Sequence, residues 1–149
     1  MKPVLFLRIA SVLTLIHAVL HTVGGVFGAM PPTVLATVAV MKANQFPMMG
    51  VMRTMWDFHM GLGLIASVAL TMEGIIFWQL GTLAKTDASR LRSILTTFSV
   101  GYLCIAGISY RYFFAAPVIT EILIALCLGL AIIGAKQVGT DRVKGRATA

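Results

Sequence analysis

Charged side chains are scarce in this 149-residue sequence. Only five residues are Asp or Glu and twelve are Lys or Arg, so 11% of the chain is charged, whereas 58% is hydrophobic. Soluble globular domains carry about 25% charged residues. Together with a mean hydropathy of +0.92, the shortage of charge excludes an ordinary water-soluble domain and predicts an integral membrane protein.

Cysteine is also scarce, since only Cys104 and Cys127 occur and no C-x-x-C motif is present. This excludes a disulfide-rich scaffold and a paired-cysteine redox motif. Both cysteines lie in apolar runs, where a thiol behaves as a small apolar side chain. The net charge of +7 does not indicate a nucleic-acid partner, because the basic residues are dispersed and not interleaved with aromatic residues.

Four apolar runs dominate the sequence, at about 5–28, 55–80, 93–114 and 116–136. About 20 apolar residues are needed to cross a bilayer, and only helices or closed barrels can do so. We therefore predict an all-α fold, an integral membrane four-helix bundle forming one domain over residues 1–149. The first run is interpreted as a span and not as a signal peptide, because it is too long and three more spans follow.

The Lys and Arg residues predict the orientation of these spans through the positive-inside rule. One side of the predicted membrane would hold Lys2, Arg8, Lys85, Arg90, Arg92, Lys136, Arg142, Lys144 and Arg146. The other side would hold only Lys42, Arg53 and Arg111. Both termini and the tail 137–149 are thus expected in the cytoplasm, with the protein in the cytoplasmic (inner) membrane and the long loop 29–54 outside.

Each predicted span carries a polar group at a similar depth. A charge at the centre of a span costs about 2.5 to 3.5 kcal/mol, so each such group needs a partner or a function. The groups in the outer third of the spans are His21, Trp56, Asp57, His59, Tyr110, Arg111 and Glu121, with His17 one turn deeper. Their common depth predicts a polar pocket in the outer half of the bundle, roofed by residues 29–54.

The periodicity of the first two spans predicts which faces point inward. His17 and His21 share a face with Gly24 and Gly28, and small residues favour close helix contacts, so that face is expected inside. Asp57 is expected to cap its helix or to contact the outer loop, because it lies about 160° from His59 around the helix.

Other polar residues have simpler interpretations. Glu73 is expected to be a protonated or hydrogen-bonded carboxyl in the bundle core, with a proton-relay role as the alternative. Arg8 is expected to extend to the headgroups, and Arg111 either does the same or pairs with Glu121. The run that contains Met48, Met49, Met52 and Met55 is interpreted as packing residues and not as a Cu(I) site.

Three roles remain open for the histidines. They can be neutral hydrogen-bonding groups, metal or haem ligands, or acid–base groups facing a lipophilic ligand. The candidate catalytic residues are His17, His21, His59 and Glu121, and the same three histidines are the candidate metal ligands. The candidate ligand-binding residues are Trp56, Asp57, Tyr110 and Arg111.

The leading functional hypothesis is binding, with or without chemical modification, of a small lipophilic molecule such as a lipid, isoprenoid or quinone. One alternative is a non-catalytic subunit or assembly factor of a larger membrane complex, or a homo-oligomer, in which the stripes Gly24/Gly28 and Gly61/Gly63 contact other helices. A further alternative is a metal- or haem-binding membrane oxidoreductase.

The segments RIASVLTLIHAVLHTVGG and MRTMWDFHMGLGL carry a resemblance to known sequences. The chain resembles an uncharacterised family of small bacterial four-helix integral membrane proteins. In that family the first helix contains spaced histidines and a WDFxxGxG motif opens the second. The matching residues here are His17, His21, Trp56, Asp57, Phe58, Gly61 and Gly63. The resemblance implies the architecture and no particular reaction.

Overall fold

The computed structural model describes the backbone of residues 2–147 and the side chains of residues 2–135. The chain is almost entirely helical, which confirms the all-α prediction. The long helices are α1 (Pro3–Leu20), α3 (Met55–Asp87), α4 (Arg92–Tyr112) and α5 (Ala115–Ala147), with a short α2 (Leu35–Ala43) between the first two. The predicted cytoplasmic tail, residues 137–149, lies outside the residues whose side chains are described.

Among the described residues, three helical stretches are long and apolar enough to cross a membrane, namely Pro3–Val26, Met55–Tyr112 and Ala115–Ala135. The second stretch joins α3 to α4 through a 3₁₀ turn, Ala88–Leu91, and contains two of the predicted spans. Asp87 leaves the helical conformation there, with φ −145° and ψ 71°.

Contacts between α3 and α4 show that the two helices fold back on each other. The ring of Phe77 lies 5.0 Å from that of Phe98 and 6.0 Å from that of Tyr102, and Tyr102 donates a hydrogen bond to Glu73. Residues before the turn thus meet residues at a similar distance after it. The two helices form an antiparallel hairpin, and each is long enough for one crossing.

The chain divides into two compact units: Met1–His17 with Thr71–Ala149, and Ala18–Leu70. The first unit has the continuous core, to which α1, α3, α4 and α5 all contribute. Its buried members are Leu7, Ala10, Phe77, Leu80, Ala84, Ala88, Leu91, Leu95, Tyr102, Ile124, Ala125, Leu128, Ala131 and Ala135.

The buried face of α1 differs from the predicted one. Ala10, Ser11 and Thr14 are fully buried, whereas His17 is only half-buried and Gly24 is exposed. These side chains are small, so this face can pack closely against another helix. Each buried hydroxyl is satisfied by a hydrogen bond to a backbone carbonyl. A bulkier imidazole is left at the edge of that face.

The second unit contains the predicted outer loop, which is folded. A π-helical segment, His21–Val26, continues α1, and α2 lies within the stretch predicted as a loop. A hairpin that the sequence reading missed follows, with β1 (Gln45–Met48) antiparallel to β2 (Val51–Thr54). Its two-residue turn has positive φ at both positions, Met49 (48°) and Gly50 (87°), as a type I′ hairpin turn requires.

The methionines of this hairpin do not pack as predicted. Met48, Met49, Met52 and Met55 are all exposed, and Met49 is 99% exposed at the turn. Met48 pairs with Val51, and Met52 with Pro47. Since neighbouring pairs point to opposite faces of a hairpin, Met48 and Met52 do not share a face and cannot together ligate a copper ion.

Candidate functional site

Polar side chains inside the first unit are bonded between helices. The hydroxyl of Tyr102 on α4 donates to Oε2 of Glu73 on α3 at 2.6 Å, and Tyr102 is 2% exposed. The Glu73 carboxyl is half-buried and hydrogen-bonded, which confirms the hydrogen bond expected for it. A short hydrogen bond of this kind satisfies both groups and fixes the two helices relative to each other.

A second polar contact joins α4 to α5. Oγ of Ser109 donates to Oε1 of Glu121 at 2.9 Å, and Glu121 is 4% exposed. The other carboxyl oxygen, Oε2, is also buried, and no protein group donates to it. A buried acceptor without a donor is unfavourable by about 1–3 kcal/mol. Glu121 is therefore a buried acidic group with half of its hydrogen-bonding capacity unused.

Helices α1 and α3 approach closely in the same unit. Oγ of Ser11 donates to the carbonyl oxygen of Gly74 at 2.6 Å. A Cβ atom at Gly74 would lie 2.7 Å from Cγ of Leu15, so a larger residue here would force Leu15 to shift. The hydroxyl of Thr14 donates to the carbonyl of Ala10 within its own helix, at 2.8 Å.

The predicted site residues of the first unit have different surroundings. Glu121 is buried and His17 is half-buried, whereas Tyr110 is 81% exposed and Arg111 is exposed. The guanidinium of Arg111 lies 5.3 Å from the ring of Tyr112. Arg111 and Glu121 both belong to the part of the chain whose side chains are described, and no ion pair joins them there.

In the second unit, His21 is held by a backbone group. Its Nε2 donates to the carbonyl oxygen of Gly63 at 3.1 Å, which requires the tautomer protonated at Nε2. A Cβ atom at Gly63 would lie 2.9 Å from Cγ2 of the buried Val26. The missing side chain at Gly63 thus lets the π-helical segment and α3 approach, and His21 bonds at that contact.

The start of α3 uses the other predicted residues of this unit. Oδ2 of Asp57 accepts from the backbone N–H of Thr54 at 2.7 Å, and Oγ1 of Thr54 accepts from the N–H of Asp57 at 3.1 Å. These reciprocal bonds form a capping box, which confirms the capping role expected for Asp57. The exposed His59 packs against Trp56 at 5.2 Å between ring centroids, and the ammonium of Lys42 lies 4.5 Å over the same indole.

Among residues 2–135, no three His, Cys, Asp or Glu side chains are grouped closely enough to hold a metal ion. The described side chains therefore do not supply the three protein ligands of a typical zinc site. This geometry gives the metal interpretation of the histidines no support.

Sequence reading missed Tyr102, Ser109 and Thr14 as members of the polar core. A usable signal exists for two of them, because Tyr102, Ala106 and Ser109 follow an i, i+4, i+7 spacing and form the buried face of α4. A polar residue on a face of small side chains indicates an interhelical hydrogen bond. Depth alone had drawn attention to the exposed Tyr110 and Arg111 instead.

No family model, curated protein or solved structure matches this sequence. The resemblance to small bacterial membrane proteins therefore stays a prediction.

Proposed function

We propose that this protein is an integral protein of the cytoplasmic membrane with four spanning helices and both termini inside. We further propose that its first unit binds the polar end of a small lipophilic molecule at Glu121. The class of ligand comprises lipids, isoprenoids and quinones.

The apolar surface of the helices supports membrane insertion. Only 17% of the most apolar window of the stretch Met55–Tyr112 is buried within the protein. Side chains such as Leu62 and Ile65 are 65% and 66% exposed. Continuous apolar surface of this extent needs an apolar surrounding, and a lipid bilayer provides it.

The fold-back of α3 and α4 supports four crossings. A single span needs about 20 residues, and the stretch from Met55 to Tyr112 has 58. Its reversal near Asp87 places Lys85, Arg90 and Arg92 at one end of the hairpin. Basic residues at this turn suit the cytoplasmic side.

The observation that carries the binding proposal is the unused acceptor of Glu121. The carboxyl is held by Ser109 through one oxygen, and its second oxygen is buried without a donor. When ionised, it can accept a hydrogen bond from a ligand hydroxyl or amine, and when protonated it can donate one to a ligand carbonyl. A chemical reaction at the ligand would use the same carboxyl as acid or base. His21 and His59 are engaged with Gly63 and Trp56, so the proposal rests on Glu121.

Native mass spectrometry of the mildly solubilised chain tests this proposal. We expect wild-type protein to retain a lipophilic molecule and Glu121→Gln to retain at least about tenfold less, equivalent to about 1.4 kcal/mol. Glu73→Gln is the matched control, because Glu73 is a carboxyl of the same unit whose bond to Tyr102 an amide oxygen can still accept. Wild-type protein without any bound molecule, or equal retention by Glu121→Gln, would contradict the proposal.

A second candidate, a subunit of a larger membrane complex or of a homo-oligomer, is favoured by open glycines. A Cβ atom at Gly24 or at Gly61 would meet no heavy atom within 4 Å. Among the described residues, these small-residue positions are thus not used for packing and can serve contacts with another helix. Affinity purification from native membranes should then recover a stoichiometric partner. The Gly61→Leu variant should no longer bind this partner, whereas the control variant Leu62→Ile should still bind it. Recovery of the protein alone would argue against this candidate.

A further inference from the structure

The guanidinium of Arg8 on α1 is fixed against α3. Its Cζ atom lies 3.5 Å from the centroid of the Trp78 ring, and its Nη2 donates to Oγ1 of Thr82 at 2.9 Å. A Cβ atom at Gly81 would lie 3.3 Å from Nε of Arg8. The stacked ring, the hydroxyl and the glycine together hold the cation in one orientation.

This fixed cation has little protein hydrogen bonding of its own. The bond to Thr82 uses one of the five N–H donors of the guanidinium, and Nη1 is buried without an acceptor. An unmet donor of this kind is unfavourable by about 1–3 kcal/mol. The site therefore lacks an acceptor.

The described carboxylates of the first unit do not supply that acceptor. Glu73 accepts from Tyr102, and Glu121 accepts from Ser109. Asp87 pairs with Arg90 at 2.8 Å. Within residues 2–135, Arg8 thus has no anionic partner.

An open apolar patch on α1 lies beside the aliphatic part of the Arg8 side chain. Its lining is Arg8, Ile9, Val12 and Leu13, and Ile9 and Val12 are 39% and 46% exposed. A fixed cation next to an apolar surface complements a molecule with an anionic head and a hydrocarbon tail. Phosphate oxygens are the acceptors that a guanidinium fork binds best.

The position along the chain agrees with this chemistry. Arg8 is five residues from the start of α1, and Trp78 and Thr82 are in the last turns of α3. These are the cytoplasmic ends of the proposed spans, where Trp residues lie at the headgroups and anionic lipids are concentrated.

We propose that Arg8, Trp78 and Thr82 form a binding site for the phosphate of an anionic phospholipid, with an acyl chain along Ile9 and Val12. This site is separate from Glu121, and it rests on the proposed membrane insertion. The occupant is a lipid of the surrounding membrane, and not free phosphate.

Quenching of Trp78 fluorescence by brominated lipids tests the site directly. The sequence has two tryptophans, so the Trp56→Phe chain reports on Trp78 alone. The full chain is placed in phosphatidylcholine vesicles that contain a small fraction of either phosphatidylglycerol or phosphatidylcholine with brominated acyl chains. We expect brominated phosphatidylglycerol to quench at least about threefold more per mole, equivalent to about 0.7 kcal/mol of preference.

Two variants in the same background locate the preference. Arg8→Gln should make the two lipids quench equally. Arg92→Gln, which removes one exposed charge from the same end of the chain, should keep the preference. Equal quenching in the parent chain, a preference that survives Arg8→Gln, or an equal loss in Arg92→Gln would each overturn the site.

Competition on the parent chain gives a result that does not depend on the folding of a variant. Excess unbrominated phosphatidylglycerol should remove the extra quenching, whereas glycerophosphate at the same concentration should not. Competition by glycerophosphate would identify a free-phosphate site and overturn the lipid as occupant. Absence of quenching by either brominated lipid would contradict membrane insertion itself, which is a different result from quenching without preference.

Discussion

Polar side chains make different kinds of hydrogen bond in the two units of this protein. In the first unit they are buried and join helices, as Tyr102 joins Glu73 and Ser109 joins Glu121. In the second unit, residues 18–70, they mostly satisfy the backbone where a helix begins or bends, as the capping box of Thr54 does. Only Ala18, Val26, Thr54 and Ser67 are buried there.

This difference shows that depth along a predicted span does not determine the role of a polar residue. Tyr110 and Ser109 are neighbours in sequence, yet Tyr110 is 81% exposed and Ser109 is 4% exposed. The helix turns about 100° per residue, so neighbours point to different surroundings. The face of the helix decides whether a polar group finds a partner, and substitutions in the two units should reveal that contrast.

The largest effect is expected in the aromatic core of the first unit. Phe77 is fully buried against Phe98 and Tyr102, so Phe77→Ala should lower the free energy of unfolding by about 3–5 kcal/mol. In the second unit Phe58 is 37% exposed and stacks on Phe46 at 5.9 Å, so Phe58→Ala should cost only about 1 kcal/mol. Unfolding in mixed micelles followed by circular dichroism measures both, and equal losses would remove the contrast between the units.

A smaller effect is expected for the hydrogen bond inside the first unit. Tyr102→Phe leaves Oε2 of Glu73 without its donor and should lower the free energy of unfolding by about 2 kcal/mol. Tyr110→Phe is the matched control, because its hydroxyl is on an exposed side chain and its loss should change stability by less than about 0.5 kcal/mol. The same unfolding measurement applies. If both variants lost the same amount, the bond to Glu73 would contribute nothing specific.

In the second unit the strongest constraint is steric. Gly63→Ala would place Cβ 2.9 Å from Cγ2 of Val26, and relief of that contact should cost about 1 kcal/mol. Gly61→Ala, two residues earlier in α3 with no heavy atom within 4 Å of its Cβ, should instead stabilise the helix by about 0.5–1 kcal/mol. Opposite signs in the melting temperatures are expected. A destabilising Gly61→Ala would show that its surface is already in contact with something.

The smallest effect is expected at the turn of the hairpin. Met49 has φ 48°, a left-handed conformation that Asn tolerates better than Met. Met49→Asn should therefore stabilise the second unit by about 0.5 kcal/mol. Met52→Asn is the control, because Asn is disfavoured at an exposed strand position. This variant should not stabilise the second unit. Amide hydrogen exchange of the hairpin measures both changes, and equal protection in the two variants would contradict the role of the turn.

Several parts of the fold could be predicted from the sequence. Runs of apolar residues located the long helices, because only a helix satisfies every backbone group of a segment that long in an apolar medium. The capping role of Asp57 could be predicted, because Asp57 points away from the face of His59 and lies at the start of the helix. Helix caps depend on residues close in sequence. The hairpin was missed because its turn, Met49–Gly50, lacks the Asn or Asp that usually marks such a turn.

The candidate site was only partly predictable. Glu121 was selected for its charge within an apolar run, and the structure adds its partner Ser109 and the buried oxygen without a donor. The stacking of Arg8 on Trp78 was not predictable, because the two residues are seventy positions apart and no local pattern links them.

Composition and periodicity by themselves determined that this chain forms long apolar helices, because the backbone and the apolar side chains must both be satisfied within each segment. Only the tertiary structure decided which polar groups lie together. Such pairs as Glu73 with Tyr102 depend on how helices distant in sequence turn and pack against one another. A small rotation of one helix against another changes which side chain meets a given polar group. The sequence of one segment does not encode that rotation.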